Sequence, residues 1–245
     1  MIRSAGTCLF LLVALALSGC ATTPSRTQDV IGAYKLKGEG ASGVSYQGAM
    51  TASASGPGLQ IDWQDDPTMG RHGFGLVLDR VLGVVAADEG QYPGIVLYRV
   101  KDGHLEGIWR YVEGGSSGIG RENLEGPAGL EGEYKITLGA NPGGKRYHGT
   151  VTMEKEGAIY KVDWHLPERA YVGTGVLLGD VFVVGYATDH RSSVAAYCIR
   201  RGGALEGITG RETDSTLGAE MLSRQDLNVA GDALAQMRKA PDCAP

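Results

Sequence analysis

Few residues of this chain could take part in chemistry, and their spacing excludes most of the usual constellations. Five histidines, His72, His104, His148, His165 and His190, stand apart, and none has a partner at metal-ligand spacing, so no metal site is expected. Asp62 and Asp163 recur in Ile61-Asp62-Trp63 and Val162-Asp163-Trp164, and paired carboxylates can share acid and base roles in hydrolysis. Strand alternation, however, puts each of them on the face opposite its tryptophan, so that tryptophans inside mean aspartates outside. Glu106 and Glu206, in two identical Leu-Glu-Gly-Ile segments, read as turn-adjacent strand features. Asp189, His190, Ser192 and Ser193 are close in sequence, but adjacency does not make a triad. The glycine-rich run Gly114 to Gly120 would cradle a phosphate only at a helix N-terminus, and it leads into a strand-like segment instead. No catalytic residue is assigned and no cofactor is expected.

Aromatic side chains remain as the plausible working residues. Trp63, Trp164, Tyr46, Tyr147, Tyr98 and Tyr197 are the ones expected to line a ligand cavity if the fold leaves one. Small eight-stranded barrels either fill with such side chains or hold one apolar ligand, and the sequence leaves both arrangements open.

The elements that carry these residues repeat. An offset of about 100 residues relates the two halves of the chain. Gly32, Tyr34 and Lys35 recur as Gly132, Tyr134 and Lys135, and Tyr46 and Gly48 as Tyr147 and Gly149. Gly73 and Gly75 recur as Gly173 and Gly175, while Gly120, Glu122 and Leu124 recur as Gly218, Glu220 and Leu222. Periodicity inside each copy is two: Leu59, Ile61 and Trp63 share one face against Gln60 and Asp62. Strands are expected at 32–37, 46–54, 59–63, 74–78, 81–87, 94–100, 105–110 and 119–124, with equivalents in the second copy. Turns such as Ser55-Gly56-Pro57-Gly58 and Arg201-Gly202-Gly203 are too short for crossover helices. The expected fold is therefore all-β, with two tandem antiparallel meander units, each closing as a small up-and-down barrel, and a short C-terminal helix from Asp226 to Lys239.

The succession Gly-x-Tyr, Tyr-x-Gly, Ile/Val-x-Trp, Gly-x-Gly, Leu-x-Gly-Ile and Gly-x-Glu-x-Leu resembles repeat modules of uncharacterised bacterial exported proteins. Thr209 departs from it where the first copy has Trp109. At fold level the unit is similar to avidin-like and lipocalin-like meander barrels, a resemblance that brings no catalytic residues with it.

Ahead of the repeat, Arg3, the apolar run Leu9 to Leu17 and Leu17-Ser18-Gly19-Cys20 resemble a bacterial lipoprotein signal. The resemblance implies cleavage before Cys20 and acylation of that cysteine, which would anchor the protein durably without a transmembrane helix. Ala21 favours the outer membrane over the inner. Residues 1–19 are thus read as signal peptide, 20–29 as tether, 30–126 and 129–224 as the two β modules, and 225–245 as C-terminal helix and tail. With the formal charge at -5, no basic footprint for nucleic acid is expected. Cys198 and Cys243 remain as a potential disulfide in an oxidising envelope. The expected role is that of a membrane-anchored envelope lipoprotein, non-enzymatic, binding or scaffolding. Its partners are the bilayer through Cys20 and an envelope protein, a glycan or a small apolar ligand. A lipocalin-like carrier of a small apolar molecule and a cell-envelope hydrolase are the alternatives.

Overall fold

A computed structural model describes residues 26–64, 72–87, 93–111, 118–190, 192–225 and Cys243. The expected signal segment with Cys20 and the expected helix from Asp226 to Lys239 lie outside the described residues. Among the described residues no helix is long and apolar enough to cross a membrane. A short α1 (Thr27–Val30) precedes the strands of the first repeat, β1 (Gly32–Glu39), β2 (Ser45–Ser55), β3 (Gly58–Gln64), β4 (His72–Leu78), β5 (Val81–Ala87), β6 (Gly94–Lys101), β7 (His104–Tyr111) and β8 (Gly120–Glu125). The second repeat contributes β9 (Gly132–Ala140), β10 (Arg146–Tyr147), β11 (Thr150–Glu156), β12 (Ile159–His165), β13 (Ala170–Leu178), β14 (Val181–Ala187), β15 (Val194–Ile199), β16 (Leu205–Gly210) and β17 (Gly218–Arg224).

These strands form two closed antiparallel barrels, and each barrel takes strands from both repeats. The first runs β1-β17-β16-β15-β5-β4-β3-β2. The second runs β9-β11-β12-β13-β14-β6-β7-β8, closed by β8 against β9, with β10 as a short continuation on β9. A self-contained meander would pair β5 with β6; instead β5 pairs with β15 and β14 pairs with β6. The repeats at 30–126 and 129–224 are therefore units of sequence. The units of packing are 32–87 with 194–224, and 94–187.

Alternation accounts for two of the three apolar clusters. Tyr34, Leu36, Ile61, Trp63, Leu82 and Tyr197 fill the first barrel, and Tyr98, Tyr134, Val151, Val162, Trp164 and Phe182 the second. The third cluster lies between the barrels, where the outward residues Val81, Val85, Ile95, Leu97, Val176, Val183, Val194 and Ala196 meet. Strands at this seam are covered on both faces, so β14 and β15 are apolar along their whole length. Each fully buried Val, Leu or Ile there contributes about 1.5–3 kcal/mol. Cys198 also faces the seam and is disulfide-bonded to Cys243, with the Cα atoms 5.3 Å apart. The bond ties the end of the chain to the outer face of β15.

Equivalent positions of the two repeats meet across the seam, as they do around a local twofold axis. A methyl group at Gly83 would sit 2.7 Å from Val183 Cγ1, and one at Gly185 would sit 2.5 Å from Val85 Cγ2. At each of these two positions one repeat carries the glycine that the valine of the other requires. Gly185→Ala is expected to lower stability by about 1–3 kcal/mol through overpacking. In a thermal-denaturation double-mutant cycle Val85→Ala should offset part of that loss, with a coupling energy of about 1 kcal/mol. Strict additivity would mean that the two positions do not press on each other.

Candidate functional site

Among the described residues one carboxylate is buried in each barrel, and the strand register explains how. In the second barrel Tyr98 on β6 stands opposite Gly107 on β7, which stands opposite Glu122 on β8. Glu122 in turn faces Gly139 on β9, which faces Tyr147 on β10. The row reads Tyr-Gly-Glu-Gly-Tyr. Each tyrosine ring lies flat over the neighbouring glycine: a methyl group at Gly107 would come within 2.5 Å of Tyr98 Cδ1, and one at Gly139 within 2.7 Å of Tyr147 Cδ2. Both hydroxyls are thereby carried across one strand to the carboxylate.

The first barrel repeats the row as Tyr197, Gly207, Glu220, Gly38 and Tyr46. Tyr46 donates to Glu220 Oε1 and Tyr197 to Oε2, each at 2.5 Å. In the second barrel Tyr98 donates to Glu122 Oε1, Tyr147 bonds the same carboxylate, and Trp164 Nε1 donates to Oε1 at 2.9 Å. Trp63, the counterpart of Trp164, is buried with its Nε1 lacking a hydrogen-bond partner among the described residues.

The second barrel opens above this carboxylate. A pocket of about 460 Å³ reaches down to Glu122 past Trp109, Tyr111, Trp164, Tyr171 and Tyr186. Tyr186 anchors the wall: Tyr111 stacks on it at 6.2 Å and 17°, Tyr171 meets it edge-on at 5.5 Å and 82°, and Trp164 is tilted against it at 5.4 Å. Opposite, Trp109 packs edge-on against Tyr147 at 6.3 Å. The rim carries Lys145, Arg146, Glu168 and Arg169. Ring faces at several angles around a buried carboxylate can hold a compact cation by charge and by the ring quadrupoles together.

Four of these wall aromatics belong to the second barrel alone. By the repeat offset, Trp109, Tyr111, Tyr171 and Tyr186 correspond to Thr209, Arg211, Arg71 and Ala86. The Tyr-Gly-Glu-Gly-Tyr row is common to both barrels and belongs to their construction. The extra rings distinguish the pocket of the second barrel from the equivalent end of the first.

Burial drives the electrostatics. It pushes the Glu122 carboxyl above the ordinary carboxylate range, against the opposing pull of its three hydrogen-bond donors. Burial, followed by the charge of Glu122, also raises the phenols of Tyr98, Tyr147 and Tyr186, which stay protonated.

Of the six aromatics singled out in the sequence, Trp164 and Tyr147 line the pocket. Tyr98 is fully buried behind Glu122, while Tyr46, Tyr197 and Trp63 lie in the first barrel. Asp62 sits on the outer face beside His72 Nδ1 at 2.8 Å, and Glu106 and Glu206 face Arg99 and Arg200 there. His190 Nδ1 lies 2.7 Å from Asp189 Oδ1, yet His190 Nε2 and Ser192 Oγ have no hydrogen-bond partner among the described residues, where no base touches the serine. Among the described residues no three His, Cys, Asp or Glu side chains are grouped to hold a metal ion. Sequence reasoning passed over Glu122 and Glu220, although Gly-x-Glu-x-Leu recurs in both repeats. It also passed over Tyr111 and Tyr171.

Because folding raises the Glu122 pKa above its reference value of 4.5, the native state binds the proton more tightly than the unfolded chain. Its contribution to stability is fully present below that reference value and is lost as pH rises through the folded-state pKa, by up to about 1.4 kcal/mol per pH unit. The stability of the native protein minus that of Glu122→Gln, followed by denaturant titration across this range, should fall with pH and then level off. A flat difference would show that Glu122 ionises as freely in the folded chain as in the unfolded one.

Comparison of the chain with protein-family models, with curated proteins and with solved structures finds no match.

Proposed function

We propose that this protein is a non-enzymatic binding protein, anchored in the bacterial envelope through acylated Cys20, that takes a small organic cation into its second barrel. The single observation that supports this reading is the aromatic pocket with a buried carboxylate at its floor. A cation seated there neutralises Glu122 where water cannot, and the flanking rings add cation–π attraction that desolvation strengthens. A purely apolar occupant would leave the carboxylate with no more than its present three donors. The basic rim formed by Lys145, Arg146 and Arg169 suits an acidic group at the outer end of the same molecule.

Export and anchoring rest on the Leu17-Ser18-Gly19-Cys20 pattern. An enzymatic role has less support, since among the described residues no serine hydroxyl is paired with a base and the buried carboxylate is already held by three donors.

The test uses the Cys20→Ser protein secreted through an ordinary leader, titrated with arylalkylamines and tetraalkylammonium ions. Native mass spectra should show a one-to-one adduct, and tryptophan emission should change saturably. Since a cation favours ionised Glu122, affinity should rise with pH until the carboxyl has fully titrated. Glu122→Gln should weaken binding by roughly tenfold or more, about 1.4 kcal/mol. Equal affinity for an uncharged isostere, or an unchanged titration in Glu122→Gln, would overturn the reading.

A further inference from the structure

The opposite end of the first barrel carries a feature that the pocket does not explain. Arg26, Arg80, Arg200, Arg201 and Arg224 line one groove of about 610 Å³, and among the described residues Asp29 is the one acid lining it. They arrive from well-separated stretches of a chain whose net charge is -5. Several are held in place. Arg80 donates to the Ile199 carbonyl at 3.2 Å, Arg200 Nε pairs with Glu206 at 2.8 Å, and Arg224 reaches the Asp29 carbonyl at 3.4 Å. Arg224 also needs its neighbours to be glycine: a methyl group at Gly203 would sit 2.8 Å from its Cδ, and one at Gly32 would sit 3.1 Å from a guanidinium nitrogen. Gathering like charges costs free energy unless an anion joins them.

The groove is not a by-product of the repeat. At the matching end of the second barrel Arg80 is replaced by Asp180, Arg200 by Val100, Arg201 by Lys101 and Gly202 by Asp102. It belongs only to the barrel that follows the tether. There α1 closes the barrel: Val30 is buried in the core and its carbonyl accepts the Tyr34 hydroxyl at 2.7 Å. Five residues separate Cys20 from Arg26, a reach of at most about 22 Å.

We infer that this arginine groove seats the phosphate of an anionic lipid headgroup in the membrane that holds the protein's own anchor. Guanidinium groups match phosphate oxygens in paired hydrogen bonds, and each basic residue near an anionic surface adds to the attraction. Proximity to lipid rests on the reading of Cys20; the groove itself is independent of the aromatic pocket.

The Cys20→Ser protein, lacking its anchor, should co-sediment with vesicles of phosphatidylcholine mixed with phosphatidylglycerol and not with vesicles of phosphatidylcholine alone. Binding should disappear at about 0.5 M salt. Arg26→Glu with Arg201→Glu should weaken it by roughly tenfold or more, while Lys35→Glu with Lys37→Glu, an equal charge change on the outer face of β1, should leave it in place. Amine titration of the pocket should be unaltered in the arginine variant, which separates failure of this inference from failure of the proposed function. Equal binding to both vesicle types, retention in the arginine variant or equal loss in the lysine variant would overturn the inference. Displacement from vesicles by low-millimolar inorganic phosphate would reassign the groove to a soluble anion and overturn the lipid source.

Discussion

The buried carboxylate is the constraint around which both barrels are arranged. A glutamate inside an apolar barrel is tolerated only when donors reach it, because an unpaired buried charge costs several kcal/mol. Tyrosine hydroxyls can reach it only if the rings cross a whole strand, and the rings can cross only if that strand offers glycine at the point of passage. Hence Gly107, Gly139, Gly207 and Gly38 sit in fixed register between each tyrosine and its glutamate. The backbone entropy that these glycines lose on folding is offset in part by packing, since each is covered by an aromatic ring.

The same rows hold the two repeats together. In the first barrel Glu220 receives Tyr197 from its own repeat and Tyr46 from the other; in the second Glu122 receives Tyr98 from its own repeat and Tyr147 from the other. Each carboxylate therefore spans the boundary created by the strand exchange. The seam adds a steric condition. Two copies of the first repeat would oppose Val85 to Val85 and Gly83 to Gly83, a clash beside a hole, whereas the present chain opposes valine to glycine at both positions. Divergence at the local axis has made the copies complementary and no longer interchangeable.

Much of the architecture was legible in the sequence. Period-two alternation in segments such as Leu59 to Trp63 located the strands, and the tandem matches located the repeat. What could not be read was which strands pair across repeats. The apolar runs Val181 to Ala187 and Val194 to Ile199 signal burial on both faces, but the same runs would occur whether β14 joined β15 or β6. The carboxylates were passed over for a related reason. Glu122 stands between Arg121 and Asn123 and looks like strand surface, and only the register reveals that it alternates inward with Leu124. Tyr111 and Tyr171 stand near strand ends, where periodicity is weakest, and it is the closure of the barrel that brings them to Tyr186.

Duplication followed by unequal elaboration explains why one scaffold carries two different ends. The shared Tyr-Gly-Glu-Gly-Tyr row fixes the barrel geometry and leaves the rims and turns free to vary. The second barrel has used that freedom for aromatic rings above its carboxylate. The first has Thr209 and Ala86 at the equivalent positions, and carries arginines at its opposite end, beside α1. A cation seat needs a desolvated carboxylate and converging ring faces, which only an interior supplies, whereas a phosphate seat needs guanidinium groups held at a surface. In the two proposals the cation seat and the phosphate seat fall at opposite ends of the strands, each with the lining that its chemistry requires.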